Sequence, residues 1–157
     1  MIRLSRLTDY GIVLMVNLAQ SEEDVCHNAR GVAAGARLPA PVVSKILKTL
    51  ARAGLLTSHR GSKGGYSLAR PAAEITVPEM IEVLEGPIRL TECAQHPGAC
   101  AQEANCLVRE PWQHINAAVH DALARITLAD LAAPTPGFVI TLASLGIDPR
   151  SIDSPSS

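Results

Sequence analysis

Residues 25–73 contain no Asp or Glu, yet they carry eight cations: Arg30, Arg37, Lys45, Lys48, Arg52, Arg60, Lys63 and Arg70. The whole chain has a formal net charge of −1, which leaves −9 for the remaining residues. Such a block must either spread over a solvated face or meet a polyanion, and charge alone does not choose between them. What narrows the fold is the pattern of apolar and turn-forming residues inside the block.

Asn28 can cap a short helix over residues 29–35, with Gly35 placed for a tight turn. Leu38-Pro39-Ala40-Pro41 reads as a turn that feeds Pro41 into the first position of another helix, which runs to about residue 53. In that helix Val43, Ile46, Leu47 and Leu50 follow i, i+3, i+4, i+7 spacing, and Ser44, Lys45, Lys48, Thr49 and Arg52 fall on the opposite face. Gly54 sits where a helix stop needs a left-handed residue. Residues 55–59 read as a strand, Arg60-Gly61-Ser62-Lys63-Gly64-Gly65 as a basic glycine-rich turn, and residues 66–69 as the returning strand. Two short helices joined by a turn and followed by a hairpin define a winged helix-turn-helix. A helix with one apolar and one small-polar-and-basic face suits a major groove, and Ser44, Lys45, Lys48 and Thr49 are its candidate contacts. Arg60 and Lys63, on a glycine-rich tip that can approach a duplex closely, suit a minor groove. A mononucleotide phosphate loop fits poorly, because the tip lacks Walker spacing and does not open a helix.

Outside the block, Thr8 is a candidate cap for a largely buried helix ending near Gln20, and Thr76 for one running to Leu84 or Glu85 before Gly86-Pro87. Residues 88–110 lack periodicity. Helical spacing returns from Pro111, with Trp112, Ile115, Val119, Ala122, Leu123 and Ile126 on one side, and a lone amphipathic helix after a loop needs a partner surface, most simply a second copy. Residues 127–133 form a last helical turn, and the proline- and serine-rich tail from residue 134 lacks the means to bury itself. The fold class expected is therefore mainly α with a small β-hairpin. Its division is a winged helix-turn-helix over residues 1–87, a cysteine loop over 88–110, a long C-terminal dimerisation helix over 111–133 and a flexible tail over 134–157.

Aromatic residues make up only 3% of the chain against 47% hydrophobic, so the core rests on Leu, Ile, Val and Ala. No apolar run approaches the roughly 20 residues needed to span a bilayer, and the start lacks the h-region of a signal peptide. A cytoplasmic protein with no membrane partner is expected. No catalytic base pair or cofactor loop argues for an enzyme, and no small-molecule substrate is expected.

In a reducing cytosol, three of the four cysteines within a short stretch, Cys93, Cys100 and Cys106, point to metal or redox chemistry. Cys26 stands alone and reads as a small apolar residue. The spacing Cys-x6-Cys-x5-Cys has no Cys-x2-Cys knuckle and misses the ferredoxin patterns. Three soft thiolates on a flexible loop can wrap a cluster and leave one coordination position open. Structural zinc, or unrelated thiols, remain as alternatives.

Several stretches resemble the iron–sulfur regulator family that includes IscR, the nitric-oxide sensor NsrR and regulators of the SUF assembly operon. They are Leu4-Ser5-Arg6-Leu7-Thr8-Asp9-Tyr10-Gly11, Val42-Val43-Ser44-Lys45-Ile46-Leu47-Lys48, Arg60-Gly61-Ser62-Lys63-Gly64-Gly65-Tyr66, Leu84-Glu85-Gly86-Pro87-Ile88 with Leu90-Thr91-Glu92-Cys93, and Ile126-Thr127-Leu128-Ala129-Asp130-Leu131. The resemblance covers residues 1–133 and is closest to the SUF regulators. It implies a homodimer on double-stranded DNA at a palindromic promoter operator, with Arg60 in the minor groove. It implies a cluster on Cys93, Cys100 and Cys106, with 2Fe–2S favoured over 4Fe–4S, and repression of iron–sulfur assembly genes.

The chain departs from that pattern at Arg109, which stands where IscR-type members carry a histidine ligand. Asp9 matches the aspartate that the nitric-oxide-sensing branch supplies from the partner subunit, and it is the candidate fourth ligand, ahead of His96 and His114. Pro111 suggests that the dimerisation helix begins late, leaving Cys106 on a turn. Alternative functions are a nitric-oxide or redox-sensing repressor of the same family and a zinc-stabilised DNA-binding module.

Overall fold

Ser5 begins the first helix, α1 (Arg6–Ala19), one turn before the expected Thr8, by accepting the Thr8 backbone N–H on its hydroxyl. Thr8 is instead fully buried inside the helix, where its hydroxyl bonds to another element. The structure is a computed structural model that describes residues 3–21, 25–91, 100–101 and 105–134. Asn28 caps α2 (Ala29–Ala36) by accepting the Gly31 N–H at 2.7 Å. The tight turn expected after Gly35 is made at Arg37, whose left-handed backbone (φ 54°) ends α2. Arg37 N–H reaches Ala34 O while Leu38 N–H reaches Ala33 O, the paired bonds of a Schellman stop, and Leu38 then packs on the core.

Helix α3 (Ala40–Arg52) has Pro41 in its second position, where no backbone N–H is needed. Its stop repeats the device with the expected residue: Gly54 (φ 81°) lets Leu55 N–H bond Leu50 O. The chain then forms an antiparallel hairpin of β1 (Leu56–His59) and β2 (Gly65–Leu68), pairing Leu56 with Leu68 and His59 with Gly65. His27, just before α2, exchanges two backbone bonds with Tyr66, N–H to O at 3.0 and 2.9 Å, so the hairpin is anchored to the helix-turn-helix by a third extended segment. A side chain at Gly65 would collide with the His27 carbonyl, which is why the second strand begins on glycine.

A 3-10 turn (Ala72–Glu74) leads to α4 (Val77–Glu85), capped by a Thr76–Glu79 box that the sequence reading did not include. Later in the chain come α5 (Arg109–Ala124) and α6 (Leu128–Ala132). Helix α5 starts two residues before Pro111, which sits in the first turn, where helical N–H groups lack intrahelical acceptors. The chain then returns to the winged unit: Val77 N–H bonds Ile126 O and Leu128 N–H bonds Ile75 O. One core joins Leu14, Met15 and Leu18 of α1 with Val43, Ile46, Leu47 and Leu50 of α3, Met80 of α4, Ile75 and Leu128. Helix α5 contributes no buried residue, and its first half, with the turn before it, leaves Leu107, Val108, Trp112 and Ile115 exposed. Among the described residues no helix is long and apolar enough to cross a membrane.

Candidate nucleic-acid interface and cysteine loop

The apolar face of α3 is spent on the core, which turns the opposite face outward. Lys45 and Lys48 are exposed there, and Ser44 and Thr49 are half-buried beside them. Thr49 donates its hydroxyl to Lys45 O at 3.0 Å, so toward an external partner it offers lone pairs only. Arg60 and Lys63 are exposed on the hairpin tip. The tip is tight: Gly61 (φ 106°) occupies the left-handed region, and Gly64 N–H closes onto Gly61 O at 2.9 Å. A side chain at Gly64 would lie 2.6 Å from His59 O, so this turn must stay bare. The strands behind it are joined on one face by His59 Nε2 and Ser67 Oγ at 2.9 Å.

One cation of the basic block is diverted. Arg70 binds Glu79 at 2.7 Å and Glu74 O at 3.2 Å, holding the entry of α4. Burial raises the Glu79 pKa, but the Thr76 N–H and the Arg70 guanidinium outweigh it, and the net direction is down. The fold thus separates a structural arginine from cations left to face outward, a division that charge counting did not reveal.

Cys93 and His96 lie outside the described residues. Cys100 and Cys106 are half-buried free thiols. Cys106 sits on a turn, its carbonyl accepting the Arg109 N–H at 3.4 Å as α5 begins. Asp9 is exposed in the first turn of α1, and His114 is exposed on α5. Among the described residues no three His, Cys, Asp or Glu side chains group as metal ligands, so Asp9, Cys100 and Cys106 are not brought together within one chain. The donor set has the chemistry of an iron–sulfur site, two accessible thiols and a free carboxylate, but a site on these residues would have to draw on Cys93 and on a partner's Asp9.

Two polar residues that the sequence reading missed hold the segment that precedes Cys93. Asn116 of α5 accepts Leu90 N–H at 3.0 Å and donates to Ile88 O at 3.4 Å, pinning the segment that leads toward Cys93. Glu85 accepts the Ser5 N–H and the Thr8 hydroxyl, pinning the end of α4 to the end of α1 that carries Asp9. Neither residue breaks a pattern in the sequence, so only their partners reveal them.

A helix-turn-helix with a docked basic hairpin, and an outward helix face of small polar and cationic side chains, define a winged-helix DNA-binding transcriptional regulator. The chain belongs to the Rrf2 family, described as iron-dependent transcriptional regulators, whose pattern matches residues 4–134. CymR of Bacillus subtilis is 32% identical over 135 residues, covering 86% of this chain and 93% of CymR. Its solved structure, described as the global cysteine regulator, superposes with a TM-score of 0.71 over 86% of this chain and 99% of that one. IscR of T. potens shares 27% identity with a TM-score of 0.64, covering 87% and 95% of the two chains. The protein rrf2 of Nitratidesulfovibrio vulgaris is 29% identical over 129 residues, 82% of this chain and 86% of that protein. These relatives are transcription regulators rather than enzymes, and they share the helical fold with its two-stranded hairpin.

Proposed function

We propose that this chain is a cytoplasmic, homodimeric repressor whose hold on a palindromic promoter operator is set by an iron–sulfur cluster, with SUF-type assembly genes as its targets. Cys93, Cys100 and Cys106 would hold the cluster, 2Fe–2S being favoured, and Asp9 of the partner subunit would complete it. When bound, such a group would supply an iron- and oxidant-sensitive tie between two protomers. The observation that carries this reading is the pair of clamps on the loop: Glu85 ties its α4 end to the α1 turn bearing Asp9, and Asn116 ties Ile88 and Leu90 to α5. Through these bonds a change between Leu90 and Cys106 would be passed to α1 and α5. Only a difference in how two arrangements meet DNA can shift affinity, and two winged units joined through α5 would provide one. Ser44, Lys45, Lys48 and Thr49 would face the major groove, and Arg60 and Lys63 the minor groove.

The test is anaerobic purification and cluster reconstitution, followed by operator footprinting with and without the cluster. A brown, oxygen-bleachable protein with different footprints in the two states is expected. Protein that stays iron-free under reconstitution, or identical footprints, would overturn the sensing role. Asp9→Ala should alter the cluster absorption and shorten its lifetime, and an unchanged spectrum removes Asp9 as a ligand.

A second reading has its own support. The higher identity to CymR, described as a global cysteine regulator, than to IscR (32% against 27%) supports a cysteine-responsive regulator instead. Colourless, iron-free protein that still footprints would select it, and stoichiometric zinc would select a zinc-stabilised module instead.

A further inference from the structure

We propose that the notch between the C-terminal half of α3 and the hairpin is a seat for one phosphate of the DNA backbone, held by Lys48, Arg52, Ser58 and Tyr66. This rests on the DNA-binding reading and adds to it three residues that no recognition-helix or wing argument assigned. The notch has a volume of about 240 Å³ and is lined by Lys48, Ala51, Arg52, Ser58 and Tyr66.

Its construction follows from two periodicities. Lys48 and Arg52 are four residues apart, on one face of α3. Ser58 and Tyr66 are cross-strand partners, so both project on the same side of the hairpin as the pair Leu56 and Leu68. Leu56 is buried in the core against which α3 packs, so that side is the one turned toward α3. The other face of the ribbon carries the His59–Ser67 bond and takes no part. Ala51 lines the notch beside Lys48 with only a methyl group, which leaves room for a ligand to enter.

The chemistry selects an anion. Every polar group in the notch is a cation or a hydroxyl, and no carboxylate occurs anywhere in residues 25–73 to compete. Among the described residues none of the four is engaged in an ion pair or a side-chain hydrogen bond. Tyr66 is also rigidly placed, since its backbone N–H and carbonyl are both bonded to His27 and it stands opposite Ser58 in the ladder with β1. The position suits a phosphodiester rather than a base. A helix in the major groove and a wing in the adjacent minor groove straddle the strand that separates the two grooves, and the notch lies between helix and wing. Contacts of this kind set register and affinity without reading sequence.

The experiment compares wild type with Arg52→Gln, Tyr66→Phe and Ala51→Glu by fluorescence anisotropy. It uses two labelled duplexes of unrelated sequence, with salt varied from about 50 to 200 mM. Arg52→Gln should lower the slope of log affinity against log salt by about 0.9 for each phosphate no longer neutralised. Tyr66→Phe, which keeps the ring and loses one hydroxyl, should weaken binding roughly two- to tenfold and by the same factor on both duplexes. Ala51→Glu should weaken binding most, because it puts a carboxylate where the phosphate would sit. Unchanged thermal melting of the exposed-site variant Arg52→Gln separates lost contact from lost fold. Wild-type slope and affinity in Arg52→Gln and Tyr66→Phe, with DNA binding intact, would overturn the seat alone. Absence of salt-dependent binding by the wild type would overturn the seat together with the reading it rests on. Calorimetric titration with inorganic phosphate or a mononucleotide should give no binding, and saturable binding of either would assign the notch to a free phosphate ligand instead.

Discussion

The Thr8 hydroxyl donates to Glu85 Oε2 at 2.7 Å, joining the first turn of α1 to the last residue of α4 across 77 positions of sequence. The same carboxylate accepts the Ser5 N–H on both oxygens at 3.1 Å. The Thr8 hydroxyl, followed by the Ser5 N–H, holds the Glu85 pKa below its ordinary value of 4.5. A depressed carboxylate contributes stability that is present above the unfolded pKa and lost as pH falls through the folded one. Glu85→Gln should therefore destabilise at neutral pH, and its deficit relative to wild type should shrink as pH drops below 4.5. Urea unfolding at several pH values measures this, and a pH-independent deficit would contradict it. Thr8→Val should lower stability by about 1 kcal/mol through the same bond.

The wing makes opposite demands on two of its glycines. Gly65→Ala places a methyl group against the His27 carbonyl and the Asn28 N–H, both backbone atoms that cannot step aside. It should destabilise by about 1–3 kcal/mol, as overpacking does. Gly61→Ala meets no neighbour but must hold φ at 106°. Its penalty is conformational, so Gly61→Asn should be tolerated better than Gly61→Val, since asparagine enters left-handed backbone more readily than a β-branched residue. Denaturant midpoints of the four variants check both statements.

Leu128 is fully buried although it follows the cysteine loop and α5 in sequence. Leu128→Ala should cost about 2–5 kcal/mol, the range for deleting a core leucine. The unfolding transition should stay single, because Leu128 shares one core with α1, α3 and α4. A biphasic transition would show that residues 127–132 fold apart from the winged unit.

Trp112 and Ile115 are exposed on α5 while Val119, Ala122 and Leu123 are half-covered. If a second copy covers the exposed end, Ile115→Glu should convert dimer to monomer in sedimentation velocity without altering the far-ultraviolet dichroism. Wild type sedimenting as a monomer, or a variant that remains dimeric, would remove α5 from the interface.

Much of the winged unit could be read directly. The i, i+3, i+4, i+7 run of Val43, Ile46, Leu47 and Leu50 became a buried stripe, and Arg60 to Gly65 became a tight tip, because helix periodicity and turn chemistry are local properties. Boundaries were read less well where a short side chain could serve either as cap or as core. Thr8 reads as the cap, a role that Ser5 plays, because the choice depends on Glu85, far away in sequence. Gly35 marks where a tight turn follows, but the left-handed residue of that turn is Arg37, next to Leu38 packed on the core. On the candidate site, the outward cations were legible, but the commitment of Arg70 to Glu79 was not.

By itself, the sequence determined the kinds of elements, the sidedness of α3 and the sign of the surface that faces outward, because periodicity, glycine and charge act over a few residues. Tertiary structure decided what those elements do together. Bonds between residues distant in the chain, His27 to Tyr66, Glu85 to Thr8, Asn116 to Leu90 and Leu128 to Ile75, dock the wing, clamp the loop and fold the last helix back into the core. Such pairings depend on which surfaces meet once the apolar stripes are buried, and no window of sequence contains both partners.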